Sequence, residues 1–162
     1  MRAIVFDRPA PDASATRVAE LPVPEPAPGE IAVEVAWAGV NFIDVMARRG
    51  DPGYASEWPF VPGLEIAGTV RALGPGVETP PPGTRVAAFV GRGGLAEVAL
   101  APAALVAEVP EGVDLVRAAA AGGALTTAAL LLEKVARVRA GEVVLVHSAG
   151  GGVGQALPSS PH

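Results

Sequence analysis

The residues whose types and spacing could do chemistry cluster in the glycine-rich segment 148–154, Ser-Ala-Gly-Gly-Gly-Val-Gly. Glycine allows a tight backbone turn and lets a phosphate approach the main chain, and the N–H groups at the start of a following helix attract an anion. From Ala149 the spacing is AxGxxG, one alanine away from the dinucleotide fingerprint GxGxxG. The predicted phosphate-binding residues are Ala149, Gly150, Gly151, Gly152, Val153 and Gly154. A flexible glycine-rich loop without a ligand remains the alternative.

The elements on either side of these glycines decide between the two interpretations. Residues 143–146 are a continuous apolar run (Val-Val-Leu-Val), which is typical of a strand buried on both faces. A strand that leads directly into the glycines favours the phosphate turn. Pro158 follows about one turn into the expected helix, where proline would interrupt it.

The chain upstream of this segment predicts a β-rich domain. Residues 31–37 alternate apolar and small or charged side chains, as in a half-buried strand, and Asn41 and Gly50 are suited to begin and end a short helix. Short strand-like segments follow between turns, among them 85–90 and 95–100, which we expect to pair as a hairpin across residues 91–94. The Pro-rich segment 7–30 predicts an extended edge or loop. This pattern favours a mostly β, barrel-like domain.

The pattern becomes helical after Pro110. Residues 113–121 and 125–138 have helical periodicity, and Gly122 and Gly123 are expected to separate two helices. We therefore predict two domains, residues 1–120 and residues 121–162. The predicted fold class is α+β and mostly β in the first domain, followed by helices and a first α/β strand.

Composition excludes several classes of function. The net charge is −5 and the 12 Lys and Arg residues are scattered, which argues against nucleic-acid binding. The absence of cysteine rules out disulfides, thiolate metal sites and a cysteine nucleophile. No apolar run approaches the roughly 20 residues of a membrane span, and residues 1–10 do not form a signal sequence, so we expect a cytoplasmic protein without a membrane partner.

Six short motifs in a fixed order resemble those of a known superfamily. They lie at residues 39–44 (GVNFID), 62–68 (PGLEIAG), 82–86 (PGTRV), 94–97 (GLAE), 125–128 (LTTA) and 147–154 (HSAGGGVG). In these motifs the chain resembles the N-terminal half of the medium-chain dehydrogenase/reductases, and within them the zinc-independent quinone oxidoreductase (zeta-crystallin-like) branch. The resemblance implies a GroES-like catalytic domain joined to a Rossmann domain.

The resemblance also implies an activity and its site residues. The branch uses NADPH to reduce quinones or activated double bonds, so the cofactor supplies the hydride. Asn41 matches a position near the nicotinamide and the substrate, and Thr126 matches one beside the cofactor. Each also has a structural alternative, helix capping for Asn41 and a helix-start hydroxyl for Thr126. Catalytic residues stay unassigned. No metal is expected, because the zinc branch carries a cysteine near Asn41 and a histidine where this chain has Leu64.

The resemblance further implies that most of the Rossmann sheet lies outside these 162 residues, so that activity of this chain alone is doubtful. An unpaired apolar strand would leave exposed apolar surface around residues 125–146, which predicts poor solubility or dimerisation. Three interpretations stay open: part of an NADPH-dependent quinone or enone reductase, a non-catalytic GroES-like remnant, and one half of a split enzyme completed by a separate C-terminal chain.

Overall fold

Seven strands and three α-helices make up the computed structural model, which describes residues 1–157. The strands are β1 (Arg2–Phe6), β2 (Thr16–Glu20), β3 (Glu30–Gly39), β4 (Glu65–Leu73), β5 (Arg85–Phe89), β6 (Val98–Pro102) and β7 (Val106–Glu108). The α-helices are α1 (Phe42–Arg49), α2 (Leu115–Ala129) and α3 (Gly152–Ala156), with 3-10 turns at Ala13–Ala15 and Ala103–Leu105 and a π-helix at Leu130–Ala136. The predicted order of a β-rich region followed by helices is confirmed.

Two compact units divide the chain, Met1–Ala120 and a second unit that begins at Ala121. In the first unit, an antiparallel sheet of five strands has the order β6-β3-β4-β5-β7, and β1 pairs with β2 in a separate ribbon. The main core lies on the five-stranded sheet and, among residues 1–157, consists of aliphatic side chains without an aromatic residue. Its buried members are Ile31, Val33, Ile66, Val70, Val86, Ala88, Val90, Ala99 and Ala101.

The predicted hairpin between residues 85–90 and 95–100 is wrong. β5 pairs with β4 and β7, while β6 pairs with β3. The intervening glycines do not form a tight turn, since Gly93 donates a backbone hydrogen bond to Val61 (2.9 Å) and Leu95 donates one to Pro62 (2.9 Å). These bonds satisfy the backbone of the connection and take it to the far edge of the sheet.

β2 is a strand that the sequence analysis placed in an extended edge or loop. It pairs with β1 over five residue pairs, from Arg2 with Glu20 to Phe6 with Thr16. The prolines that suggested a loop, at positions 22, 24, 26 and 28, all follow the end of β2. They therefore do not interrupt its ladder hydrogen bonds.

β3 has the predicted alternation only in its first half. Ile31 and Val33 are buried, but Trp37 is 54% exposed. Val35 is opposite Gly68 and Trp37 is opposite Ala67, so Ala36 is an extra residue on β3. Such a bulge reverses the faces of the residues that follow it. The bulge lies on β3, opposite Gly68 and Ala67 of β4.

The second unit departs from the prediction at two places. α2 continues through Gly122 and Gly123, although each glycine costs about 1 kcal/mol relative to alanine in a helix. Residues 142–146 have no strand structure, and no strand among residues 1–157 pairs with them. A strand without a neighbour lacks the hydrogen bonds that would stabilise it. Pro158 lies outside the described residues.

The helical stretch Leu115–Ala136 is longer and more apolar than expected. It has 22 residues and a mean hydropathy of 1.6 in its most apolar window, so by length and composition alone it could cross a membrane. The expectation that no apolar run approaches this length is therefore wrong. Core helices of soluble proteins meet the same criteria, so the finding is weak evidence for a membrane segment.

Candidate functional site

The candidate site in the first unit is built around Asn41, between the end of β3 and the start of α1. Asn41 is the N-cap residue of α1, and Gly50 ends the helix in the left-handed conformation (φ 77°), as predicted. The Asn41 side chain also has a partner outside the helix, because its Nδ2 donates a hydrogen bond to Glu65 Oε1 at 2.7 Å. Asn41 is thus both the residue that begins α1 and a residue whose side-chain amide is held by Glu65.

Glu65, the first residue of β4, is 5% exposed. Its Cα partner in the ladder is Gly39 of β3. A Cβ atom at Gly39 would lie 2.6 Å from Glu65 Cγ and 2.7 Å from Cδ, closer than real contacts allow. The Glu65 side chain therefore crosses β3 over a position that only glycine leaves open, and it reaches Asn41 by this route.

A second buried carboxylate, Asp44, fixes the start of α1. Its side chain is 6% exposed, and it accepts backbone hydrogen bonds from Asn41 N at Oδ2 and from Gly63 N at Oδ1, both at 2.8 Å. Gly63 has a positive φ of 100°, and a Cβ there would lie 2.8 Å from the Gly94 carbonyl carbon. Asp44 therefore ties the helix start to a tight backbone crossing beside β4.

Exposed apolar side chains flank Asn41 in sequence. Val40 and Phe42 are both largely exposed, and the Arg49 guanidinium lies 5.9 Å from the Phe42 ring centroid, at cation–π distance. A small cavity of about 140 Å³ lies on the other side of α1, where Tyr54 and Phe60 line it with Asp44. The Asn41 amide, held by its hydrogen bond to Glu65, therefore lies next to exposed apolar side chains.

The glycine segment lies in the second unit and keeps part of the geometry of a phosphate turn. Gly151 is the N-cap of α3, and its N–H donates to Ser148 O at 2.9 Å. A Cβ atom at Gly154 would lie 2.7 Å from Ala149 Cα and 3.0 Å from its carbonyl carbon. Gly154 thus allows the helix to approach the preceding turn closely. In the dinucleotide fingerprint the third glycine allows a similar close approach, between the helix and the strand.

The support of this turn differs from the prediction. The residues before it form no strand, and the part of α3 that the structure describes has five residues. Thr126 is exposed in the last turn of α2, so its alternative role as a helix-start hydroxyl is wrong. The local turn fits a dinucleotide phosphate, while the β-strand that normally holds it in place is not formed.

The predicted site residues are distributed over both units. Asn41 belongs to the first, and Thr126 and residues 149–154 belong to the second. Within residues 1–157, no group of three or more His, Asp or Glu side chains has an arrangement that could hold a metal ion.

Comparison with known proteins assigns the first unit to a family. The family described as "Alcohol dehydrogenase GroES-like domain" matches residues 27–111, which cover β3 through β7 and include both Asn41 and Glu65. The chain belongs to this GroES-like family. Its membership of the medium-chain dehydrogenase/reductase superfamily is thereby confirmed, together with the β-rich fold class.

Three relatives show how far the similarity extends. The human synaptic vesicle membrane protein VAT-1 homolog-like is 44% identical over 135 residues, which are 83% of this chain and 32% of that protein. Its crystal structure superposes with a TM-score of 0.93 and 40% identity, covering 99% of this chain and 53% of that chain. The quinone oxidoreductase of Sus scrofa is 39% identical over 136 residues, 83% of this chain and 41% of that protein.

The quinone oxidoreductase of Thermus thermophilus, whose structure was also determined in complex with NADPH, superposes with a TM-score of 0.81 at 36% identity. The match covers 97% of this chain and 48% of that one. The GroES-like chain thus spans between about a third and a half of the length of its relatives.

Two residues of the GroES-like site were given no functional role by the sequence analysis. Glu65 and Gly39 were noted only as members of the motifs at residues 62–68 and 39–44. The sequence signal that could have identified them is the presence of Gly39 in one motif and of Glu65 in the next. That the two residues are neighbours depends on the β3–β4 register. Register across a connection of 25 residues, 40–64, that contains α1 does not follow from local pattern.

Proposed function

We propose that this chain contributes the substrate-facing and part of the cofactor-facing residues of an NADPH-dependent reductase of quinones or other activated double bonds. The observation that carries the proposal is the Asn41 amide, fixed by a 2.7 Å hydrogen bond to the buried Glu65 beside exposed apolar side chains. A quinone has the complementary chemistry, because it combines a flat apolar ring with carbonyl oxygens that accept hydrogen bonds. Relatives that bear the name quinone oxidoreductase support the same substrate class.

Each residue has a defined task in this proposal. NADPH, when bound, supplies the hydride. Asn41 uses its second Nδ2 hydrogen to donate to the carbonyl oxygen of the substrate, where negative charge develops as the ring accepts the hydride. Val40 and Phe42 provide apolar contact with the ring. Residues 149–154 of the turn provide contacts to the cofactor, and so does Thr126. The reaction is zinc-independent and takes place in the cytoplasm.

The test is an NADPH titration of the purified chain, followed by NADPH fluorescence and calorimetry. We expect saturable binding, and we expect Gly154→Ala to weaken it about tenfold or more, corresponding to about 1.4 kcal/mol, because the new Cβ would meet the Ala149 backbone. The control Ala136→Ser changes an exposed residue of the same unit and should bind like the parent chain. Oxidation of NADPH in the presence of a quinone is the second readout.

Absence of NADPH binding up to millimolar concentration would overturn the proposal for this chain. The second candidate, an N-terminal half that acts through a partner chain, would then be favoured by the unpaired apolar segment before the glycine turn, where Val143 is 98% exposed. Co-expression with the C-terminal half of a quinone oxidoreductase tests that candidate. A stable complex supports it, and two separately eluting chains argue for a non-catalytic GroES-like domain.

A further inference from the structure

We propose that Glu65 is the positioning residue for Asn41, and that Gly39 is the residue that admits the Glu65 side chain to this task. The proposal rests on the proposed function, because it explains what holds the Asn41 amide in the orientation that faces the substrate. It assigns Glu65 no contact with substrate or cofactor, since its effect passes through Asn41.

The orientation of the amide follows from the charge of its partner. An asparagine side chain has a donor end and an acceptor end, and these ends are exchanged when the amide group rotates by half a turn. A carboxylate only accepts hydrogen bonds, so it attracts the Nδ2 end and repels Oδ1. At 2.7 Å the Asn41–Glu65 contact is short and charge-assisted, which favours one orientation strongly.

Burial makes this selection stronger. Glu65 is 5% exposed, and in a region of low dielectric constant a hydrogen bond to a charged group is stronger than the same bond in water. Among residues 1–157, Nδ2 of Asn41 makes this one hydrogen bond as a donor, so its other hydrogen is available to a ligand. The carboxylate therefore determines which atom Asn41 presents.

Gly39 is the second part of the arrangement. It faces Glu65 across the β3–β4 ladder, and a Cβ there would overlap the Glu65 side chain. Replacing Gly39 by alanine must displace Glu65 without removing its charge. The Gly39→Ala variant thus tests the position of the carboxylate while the carboxylate is still present. Substitution of Glu65 itself removes the carboxylate and cannot make this test.

The composition of the chain makes a direct measurement available. Asn41 is the sole asparagine and Gln155 the sole glutamine in the sequence, so a nitrogen–proton correlation spectrum contains two side-chain amide pairs. The pair that disappears in Asn41→Ser belongs to Asn41. In the parent chain we expect one proton of this pair to be shifted by the carboxylate and protected from exchange with water.

Four variants then test the positioning. Glu65→Leu and Gly39→Ala should move the Asn41 pair to the position of a freely rotating amide with rapid exchange. Glu65→Gln retains an acceptor oxygen but also has donor hydrogens, so it should protect the Asn41 pair less than the parent carboxylate and more than Glu65→Leu, while adding a pair of its own. The control Glu34→Gln changes an exposed residue of β3 and should leave the Asn41 pair unchanged. Should Glu65→Leu fail to fold, Gly39→Ala and Glu65→Gln still decide the question.

The functional readout is a titration with duroquinone, whose fully methylated ring does not add to nucleophiles. We expect duroquinone to shift the Asn41 pair in the parent chain, and its affinity to fall up to about tenfold in Gly39→Ala, which is the upper end of what one neutral hydrogen bond contributes. Glu65→Gln should give an affinity between those of the parent chain and Gly39→Ala.

The two possible failures are distinguishable. An unchanged Asn41 pair in folded Gly39→Ala and Glu65→Leu overturns the positioning role, and so does unchanged duroquinone affinity in those variants. If the parent chain does not respond to duroquinone while the amide contrasts appear as expected, Glu65 still positions Asn41, and the proposed quinone function is what fails.

Discussion

Two buried carboxylates in the first unit have different tasks at the level of single residues. Asp44 accepts from two backbone N–H groups, so its bonds join the start of α1 to the segment around Gly63. Glu65 accepts from the side chain of Asn41. A backbone N–H group is present at every residue except proline, whereas the donor of Asn41 is present only because this residue is an asparagine. Asp44 is therefore a determinant of stability, and the hydrogen bond between Asn41 and Glu65 is a determinant of the site.

Asp44→Asn tests the structural half of this distinction. The variant replaces one carboxylate oxygen with an NH₂ group that faces a backbone N–H, which leaves a buried donor unsatisfied. We expect a loss of about 1–3 kcal/mol in the free energy of unfolding, measured by urea denaturation. Glu78→Gln, the same change from carboxylate to amide at an exposed position, should leave the midpoint unchanged. Equal stability of the two variants would contradict the role of Asp44.

At the level of elements, local signals predicted what local contacts determine. The boundaries of α1 follow from Asn41, which begins the helix, and from Gly50, which ends it in the left-handed conformation. The glycine segment likewise forms a turn that leads into a helix, with Gly154 close to the Ala149 backbone. In each case the deciding atoms lie within a few residues of one another, so sequence pattern contains the necessary information.

The failed predictions involve partners distant in sequence. β5 and β6 follow each other in sequence like the strands of a hairpin, but each pairs with a central strand of the sheet, β5 with β4 and β6 with β3. Residues 142–146 have the composition of a buried strand, yet among residues 1–157 they have no strand to pair with. The contact between Asn41 and Glu65 depends on register and on Gly39 together. Pattern alone cannot supply such nonlocal pairing.

The attachment of β1 gives a pH-dependent prediction. Glu97 accepts from Arg2 N at 2.8 Å and from Arg2 Nε at 2.7 Å, and these hydrogen bonds, with that of the backbone N–H first, lower the pKa of Glu97 from its ordinary value of 4.5. Because the folded-state pKa is lowered, the stabilisation is present above pH 4.5 and is lost as the pH falls through the folded-state pKa.

Glu97→Gln should therefore lower the thermal midpoint at neutral pH, and its difference from the parent chain should shrink as the solution is acidified below the ordinary carboxyl range. Since the pair is exposed, the difference should also shrink with added salt. A difference that stayed constant across the acid range would show that Glu97 acts through packing instead of charge.

At the level of the whole molecule, the second unit exposes the apolar side chains that the sequence predicted to be uncovered. Val143 and Leu145 are almost fully exposed, and Leu130 and Val135 are more than half exposed. Apolar side chains of this size are normally removed from water by a further layer of structure or by another chain. The expected exposure around residues 125–146 is thus observed, and association through it stays a prediction.

Sedimentation velocity measures that association directly. We expect the sedimentation coefficient to rise with protein concentration, because contact between exposed apolar surfaces removes them from water. The double variant Val143→Glu, Leu145→Glu should restore a single slower species, whereas Val18→Glu, at an exposed apolar position of β2 in the first unit, should not. A concentration-independent monomer for the parent chain would contradict the expected association.

The extra residue at Ala36 also affects how this protein can evolve. Its side chain is exposed, so substitutions there meet little resistance from packing. Loss of the residue would leave the ladder intact, because Val35 and Trp37 already face successive residues of β4, and Gly39 would stay opposite Glu65. Selection acting on this strand should accordingly tolerate both a substitution and a deletion at position 36, so that the pairing of Gly39 with Glu65 is inherited more strictly than the length of β3.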